Sequence, residues 1–124
     1  MIVENGVLKH TKGDTGCIRI KRIVLDDGTE YTLQPGDTIT FTVRAKPSED
    51  SPILIQMTTT TMDIPFQPSD TADLKPGRYS ADIELVTASG DTFTIWPKKK
   101  KSKYQPTYSN FENFWLWPEV TKHA

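Results

Sequence analysis

The residues that could perform acid–base or nucleophilic chemistry are few and scattered. The two histidines, His10 and His123, lie near opposite ends of the chain, and neither stands beside a serine or cysteine in a recognisable catalytic setting. A general base must lie within hydrogen-bond reach of the proton that it removes. We therefore expect both histidines to be surface residues in flexible termini. Cys17 has no paired histidine motif, which favours a small core or edge residue over a nucleophile.

The acidic residues follow structural patterns and not catalytic ones. Asp26 and Asp27 precede a glycine in a turn, where aspartate bonds to nearby backbone. Asp82 and Glu84 alternate with apolar residues, which predicts that they face solvent. The sequence contains no EF-hand spacing, HExxH, CxxC, P-loop or GxGxxG motif. We therefore predict no catalytic residues, no metal, no cofactor and a protein that is not an enzyme.

A lysine run raises the question of nucleic acid. Lys98–Lys103 holds five lysines in six residues, and Tyr104 and Tyr108 follow it closely. Such a run can neutralise phosphates, and tyrosines can stack on bases. However, 15 basic and 16 acidic residues give a net charge of −1, and solvated charge is ordinary in a loop. We therefore predict that the protein has no nucleic-acid partner.

Aromatic residues near the C-terminus are the other candidate site. Trp115 and Trp117 share one face of a predicted strand, and Phe114 and Leu116 share the other. With both faces apolar, the strand is expected to be covered on both sides. Three interpretations stay open: packing within the chain, a protein interface that includes these four residues and Trp96, and a sugar-binding platform of the three tryptophans.

Two alternating segments dominate the predicted framework. Leu74–Trp96 predicts two antiparallel strands joined by a turn at Ala88–Asp91, and Thr38–Arg44 alternates apolar residues with threonines. Cys17–Leu25 is rich in β-branched residues, but its alternation changes parity near Lys21-Arg22. That change predicts either a bulge or a strand that passes between sheets.

The remaining segments are predicted to be turns and shorter strands. Gln34–Asp37 predicts a turn with glycine at its second corner. Ile53–Thr61 predicts a strand with Ile53, Ile55 and Met57 directed inward. Pro68–Leu74 predicts a single helical turn, capped by its serine or its first aspartate (Ser69 or Asp70).

The number and spacing of these segments indicate the fold class. Seven or eight short strands, separated by Gly, Pro and Asp turns about 8 to 15 residues apart, predict an all-β sandwich or small barrel. Tyr79 begins a long late strand just after a turn, as in the tyrosine corner of Greek-key sandwiches. We predict an immunoglobulin-like Greek-key β-sandwich in which Tyr79 is buried and its hydroxyl bonds to backbone between Asp70 and Leu74.

The 124 residues fit one domain with additions. We predict that residues 1–97 form the sandwich, that 98–113 form a lysine-rich polar excursion, and that 114–124 form an aromatic C-terminal strand. This strand packs either on the same domain or on a partner, and Pro118 is expected to confine it to a sheet edge.

The sequence also carries expectations about compartment. A single cysteine cannot form an internal disulfide, the first residues lack the apolar run of a signal peptide, and no run of 18 apolar residues exists. We expect a soluble intracellular protein, or one exported without a Sec signal, that does not enter a membrane.

Several of these motifs resemble a known family of phage proteins. The segments that carry the resemblance are Lys12–Thr15, Tyr31–Leu33, Asp37–Arg44, Pro68–Tyr79 and Ala81–Leu85. Together they are similar to the N-terminal immunoglobulin-like domain of the baseplate upper protein family of tailed phages and prophages of Gram-positive bacteria. The resemblance covers roughly residues 8–97.

The resemblance implies a role in virion structure, for a protein that is produced in the bacterial cytoplasm without a signal peptide and becomes part of the phage tail or baseplate. It implies a β-sandwich in a phage tail or baseplate that docks to other virion proteins or to itself, and it transfers no catalytic residue. Members of the family usually continue into coiled-coil or receptor-binding parts, so the short aromatic tail favours an accessory or prophage-encoded version. A carbohydrate-binding module that binds polysaccharide through its tryptophans is the alternative.

Overall fold

The computed structural model describes residues 1–4, 6–97, 99–101, 106–108 and 112–120, with backbone alone for 99–101 and 106–108. The chain is 50% strand and 4% helix, which confirms the all-β prediction. The strands are β1 Ile2–Glu4, β2 Val7–Thr11, β3 Gly16–Arg19, β4 Ile23–Val24, β5 Glu30–Tyr31, β6 Thr38–Arg44, β7 Ile53–Thr59, β8 Asp63–Phe66, β9 Gly77–Val86, β10 Thr92–Trp96, β11 Lys99–Lys101, β12 Pro106–Tyr108 and β13 Phe114–Trp117, and α1 is Pro68–Thr71.

The main sheet has seven strands in the order β1-β2-β13-β9-β6-β7, with β10 also paired to β9. The sheet is mixed, because β13 runs parallel to β2 and antiparallel to β9. The prediction that the aromatic C-terminal strand lies at an edge is therefore wrong: β13 has a neighbour on each side. Pro118 does not prevent this, because it follows the last residue of the strand. The sheet therefore needs no hydrogen bond from its nitrogen, which carries no hydrogen.

The central strands follow the predicted alternation. Every second residue of β6, from Ile39 through Phe41 to Val43, is fully buried, and the intervening residues are half-buried. β9 and β10 form the predicted antiparallel hairpin. A period of two places one apolar row of each strand against the core, so these central strands have an inner, apolar face and an outer, largely polar one.

Two short ribbons, β3–β8 and β4–β5, supply the residues that pack on the inner face. Phe66 of β8 lies 5.5 Å from Phe41 and 6.2 Å from Phe114, measured between ring centroids. The predicted parity change near Lys21-Arg22 separates β3 from β4, and these strands belong to different ribbons. The chain thus passes from one ribbon to the other, but residues 20–22 interrupt the strand, so the alternative of a strand that passes between sheets is only partly right.

The structure has more strands than the seven or eight predicted, with thirteen in the described residues. Part of the excess arises because the N-terminal segment folds back on itself as β1 and β2, and because Cys17–Leu25 divides. The prediction for Ile53 is wrong, since 46% of its side chain is exposed. A register shift opposite Val43 and Arg44 interrupts the alternation at this end of β7.

The capping of α1 also differs from the prediction. Gln67 is the N-cap residue, and its backbone N–H donates to Oδ2 of Asp70 at 2.7 Å. Asp70 therefore lies inside the first turn, where a carboxylate satisfies a backbone donor that the helix leaves unpaired.

The Gln34–Asp37 turn ties one end of the sheet together. Gly36 has a φ of 89°, the positive value that the predicted turn requires at its second corner. The buried carboxylate of Asp37 accepts hydrogen bonds from the Tyr31 hydroxyl at 2.5 Å, Gln34 N at 2.8 Å and Ala88 N at 3.0 Å. These bonds, the one from Tyr31 first, hold the pKa of Asp37 below its usual value.

The tyrosine at the start of β9 bonds to backbone just upstream, as a tyrosine corner requires. The hydroxyl of Tyr79 donates to the carbonyl oxygen of Lys75, one residue beyond the predicted range of Asp70 to Leu74. The side chain is half-buried and not buried, and it packs against the core. Within the part of the chain that is described, no helix is long and apolar enough to span a membrane.

Candidate functional site

Strand β13 is anchored by one face and displays the other. Phe114 and Leu116 are 0% and 2% exposed and belong to the core, so they hold the strand and offer no surface to a partner. Trp115 and Trp117 point to the outer face, where Trp115 is half-buried and Trp117 is 42% exposed. The predicted interface of five residues is therefore divided between core and surface.

A buried amide attaches β13 to the sheet. Asn113 accepts a hydrogen bond from Ala81 N at Oδ1 (2.7 Å) and donates one from Nδ2 to Ala81 O (2.9 Å), and its own carbonyl accepts from Leu8 N at 2.8 Å. Along the edge of β9, β13 pairs up to Tyr79 and β10 pairs from Ile83. The Asn113 side chain thus replaces a strand at the gap between these two partners.

Sequence reasoning missed Asn113. An asparagine before an apolar strand has the pattern of a turn residue, and no local signal separates a turn amide from one that pairs with distant backbone.

On the outer face of the sheet, a row of side chains runs across four adjacent strands, β1, β2, β13 and β9. Register places Lys9 of β2 and Arg78 of β9 on either side of Trp115, with Ile2 of β1 beyond Lys9. The Lys9 ammonium lies 4.9 Å and the Arg78 guanidinium 4.4 Å from the Trp115 ring centroid. Both distances fit cation–π contacts, so the indole is held between two positive charges.

Two further bonds fix this row. Trp115 Nε1 donates to the carbonyl oxygen of Glu112 at 2.7 Å, and Lys9 Nζ lies 3.3 Å from Oε1 of Glu4. Trp117, in register with Thr11, stands next to Trp115 on the same face. We call the set of Ile2, Lys9, Arg78, Trp115 and Trp117 the aromatic patch.

Trp96 is not part of the aromatic patch. It lies in β10 opposite Ile83, and its half-buried side chain packs against the core cluster. All three tryptophans lie in described residues, and they do not form a common platform. A sugar ring stacks on an open aromatic face, and among the three indoles that of Trp117 is the most exposed.

The other half of the outer face is a polar surface of threonines and acids. Thr40 and Thr58 are hydrogen-bonded through their hydroxyls at 3.0 Å, and Gln56 Nε2 donates to Thr42 Oγ1 at 3.2 Å. We call the residues Thr38, Thr40, Thr42, Gln56 and Thr58 the threonine face.

Asp82 adjoins the threonine face, in register with Thr42. Burial, and then the nearby Glu84 charge, raise the pKa of Asp82, while Arg44 opposes that rise. Asp82 and Glu84 are half-buried, so the prediction that both simply face solvent is only partly right.

The prediction that His10 is a surface residue of a flexible terminus is wrong. The side chain is 1% exposed and lies in β2, on the inner face of the sheet, with its ring 5.2 Å from that of Phe66. Nε2 lies 3.1 Å from the carbonyl oxygen of Asp14, and since a carbonyl can only accept, Nε2 carries the proton. Nδ1 is buried without a hydrogen-bond partner.

The packing around His10 explains a glycine and a pKa. A Cβ at Gly16 would lie 2.9 Å from Cε1 of His10, so the imidazole requires glycine at this position. Burial lowers the pKa of His10 below 6.5, because the charged form cannot be solvated there. His10 is thus a neutral core residue beneath the aromatic patch.

For the remaining candidate residues from the sequence, the structure describes few contacts or none. Cys17 is half-buried in β3, as expected of a small residue near an edge. His123, Tyr104 and the side chains of Lys98–Lys103 and Tyr108 lie outside the described residues. Among the residues whose side chains are described, no three histidine, cysteine or acidic groups are placed to hold a metal ion.

A scan against protein-family models finds no match, and a search of curated proteins finds no significant one.

Proposed function

We propose that this chain is a non-enzymatic assembly module of a phage or prophage virion, which docks to other tail or baseplate proteins through the aromatic patch. The observation that carries the proposal is the position of β13: its inner residues are buried in the core, and its outer residues present Trp115, which lies between Lys9 and Arg78, and the exposed ring of Trp117. Tryptophan and arginine are the side chains most enriched at the energetic centres of protein interfaces.

The fold proposal that accompanies it is an immunoglobulin-like Greek-key sandwich with one added strand. The layering of the main sheet over two ribbons supports a sandwich at a coarse level. The hydroxyl of Tyr79, bonded to backbone just upstream, supports the Greek-key corner. The resemblance of residues 8–97 to the baseplate upper protein family supports the assignment to a virion.

The geometry favours assembly over the carbohydrate alternative. A three-tryptophan platform needs three open rings on one surface, but Trp96 packs against the core and two cations lie over Trp115. A protein partner needs no free ring face, since it can bury Trp117 together with the rim of Lys9 and Arg78.

The test is to locate the protein in phage particles. Tailed particles released from the bacterium that encodes the chain would be purified and labelled with a gold-conjugated antibody against it. We expect gold at the tail tip or baseplate, and a strain with the gene deleted serves as the control. Particles without label, from cells that contain the protein, would overturn the proposal. Retention of the purified chain on a polysaccharide column would then favour the alternative.

A further inference from the structure

The three unpaired edges of the main sheet are protected to very different degrees. An exposed edge strand offers free backbone donors and acceptors, and proteins usually block it with charge, proline, a bulge or short length. In the described residues, β1, β10 and β7 each have one side that pairs with no other strand.

Two of these edges are blocked. β1 has only three residues, one of which is Glu4. β10 follows Asp91, contains a register shift between Thr94 and Trp96, and is followed by Pro97. Each carries at least one of the features that prevent strand addition.

The β7 edge has no such protection along its length. Ile53–Thr59, with sequence ILIQMTT, is seven residues long and contains neither charge nor proline. Its protected end is its start, where Pro52 precedes Ile53 and the register shifts opposite Val43 and Arg44. Ile53 and Leu54 are 46% and 36% exposed, so apolar side chains accompany the free backbone.

We propose that β7 pairs antiparallel with β7 of a second copy of this chain, and so joins two main sheets into one. The strand is self-complementary when a two-fold axis passes through Gln56. Ile55 then faces Met57 of the second copy on the inner side, and Ile53, which the register shift places opposite Arg44, lies outside this regular part of the pairing. The inner rows stay on the inner side, because a one-residue shift would exchange the faces.

This register extends the core across the junction. Ile55 is buried and Met57 is half-buried in the single chain, and Ile55 of the second copy covers Met57 in the pair. No like charges meet, because the strand has none. This surface lies two strands from β9, so it is separate from the aromatic patch and does not depend on the proposed docking there.

The test uses charge at the two-fold axis. Gln56→Lys and Gln56→Glu each place two like charges directly opposite one another, which destabilises a strand pair. Sedimentation velocity of the full chain over a concentration series should show a monomer–dimer equilibrium, weakened about two- to fivefold by either substitution. An equimolar mixture of the two variants should restore or exceed the original affinity. Thr92→Lys, which adds a charge on exposed β10, should change nothing.

Three results would overturn the proposal: a monomer at every concentration, a dimer that neither Gln56 variant weakens, or a weakened dimer that the mixture does not restore. Circular dichroism of each variant separates the last case from unfolding. Trp117→Ala should leave the dimer intact, so failure of this proposal and failure of the docking proposal are distinguishable.

Discussion

The aromatic patch and the threonine face lie on the same side of one sheet but differ in almost every property. The patch concentrates large aromatic and basic side chains, and cation–π contacts hold Trp115 in place. The threonine face carries short side chains that bond to one another, as Thr40 does to Thr58. Both are outer rows of strands whose inner rows fill the same core, so packing alone does not require the difference.

The difference favours the aromatic patch over the threonine face as the docking surface for the virion partner that we propose. Hydroxyls paired across strands are satisfied and solvated, and a partner gains little by covering them. A fixed indole beside an exposed one loses little side-chain entropy on binding and buries a large apolar area. A docking role therefore explains the residue types of the aromatic patch, whereas it does not explain those of the threonine face.

The largest expected effect comes from detaching the strand that carries the patch. Asn113→Ala leaves the N–H and C=O of Ala81 buried without partners, at about 1–3 kcal/mol each, so we expect a loss of about 2–6 kcal/mol in the free energy of unfolding. Urea denaturation measures it. Amide hydrogen exchange should rise in β13 and β2 more than in β6 and β7. The exposed amide Gln34→Ala is the control, expected to change stability by less than about 0.5 kcal/mol.

Removing the central indole should have a smaller effect. Trp115→Ala eliminates two cation–π contacts, each worth about 0.5–1 kcal/mol, and the hydrogen bond from Nε1 to Glu112 O, worth about 0.5–1.5 kcal/mol, so we expect a loss of about 1.5–3.5 kcal/mol in stability. Trp117→Ala, which removes the more exposed ring, should cost less than Trp115→Ala in the same urea titration. Equal losses for the two variants would contradict the view that cation–π contacts stabilise Trp115 and that Trp117 is the more exposed ring.

Protonation of His10 at acid pH should destabilise the half of the sheet that carries the aromatic patch more than the half that carries the threonine face. The pKa of its imidazole is lowered in the folded protein, so the unfolded chain binds the proton first and stability falls as pH drops below about 6.5. We expect unfolding free energies measured from pH 7.5 to pH 5.5 to fall more steeply in the wild type than in His10→Phe. Hydrogen exchange at the lower pH should increase first in β2, beneath the patch. Parallel pH profiles for the two proteins would exclude this role of His10.

The smallest effect is expected on the threonine face. Thr40→Ala removes one hydroxyl bond between partly exposed side chains and should change stability by about 0.5 kcal/mol or less. The same denaturation titration measures it. A loss as large as that of Asn113→Ala would end the contrast between the two halves.

Local patterns were enough to predict the strands that lie in the middle of the sheet. The alternation in Thr38–Arg44 and the hairpin of Leu74–Trp96 depend on neighbours two residues apart, and the sequence displays those directly. The turn at Gln34–Asp37 is equally predictable from the sequence, because a glycine at positive φ is a local requirement.

Pairing between segments far apart in the chain could not be predicted from the sequence. The central place of β13, the pairing of Asn113 with Ala81 and the burial of His10 each depend on residues far away in the chain. A proline after a strand suggested an edge, and a histidine near a terminus suggested the surface. Tertiary contacts overrode both local preferences.

The most direct test of the docking role compares three versions of the chain in tailed particles. Wild type, Trp117→Ala and Thr40→Ala would be expressed in a deletion strain, and the protein bound to purified particles would be measured by quantitative immunoblot. We predict that wild type and Thr40→Ala are incorporated equally, while Trp117→Ala is folded in the cell but largely missing from particles. Equal incorporation of Trp117→Ala, or absence of the wild type from particles, would contradict the proposed role of the aromatic patch.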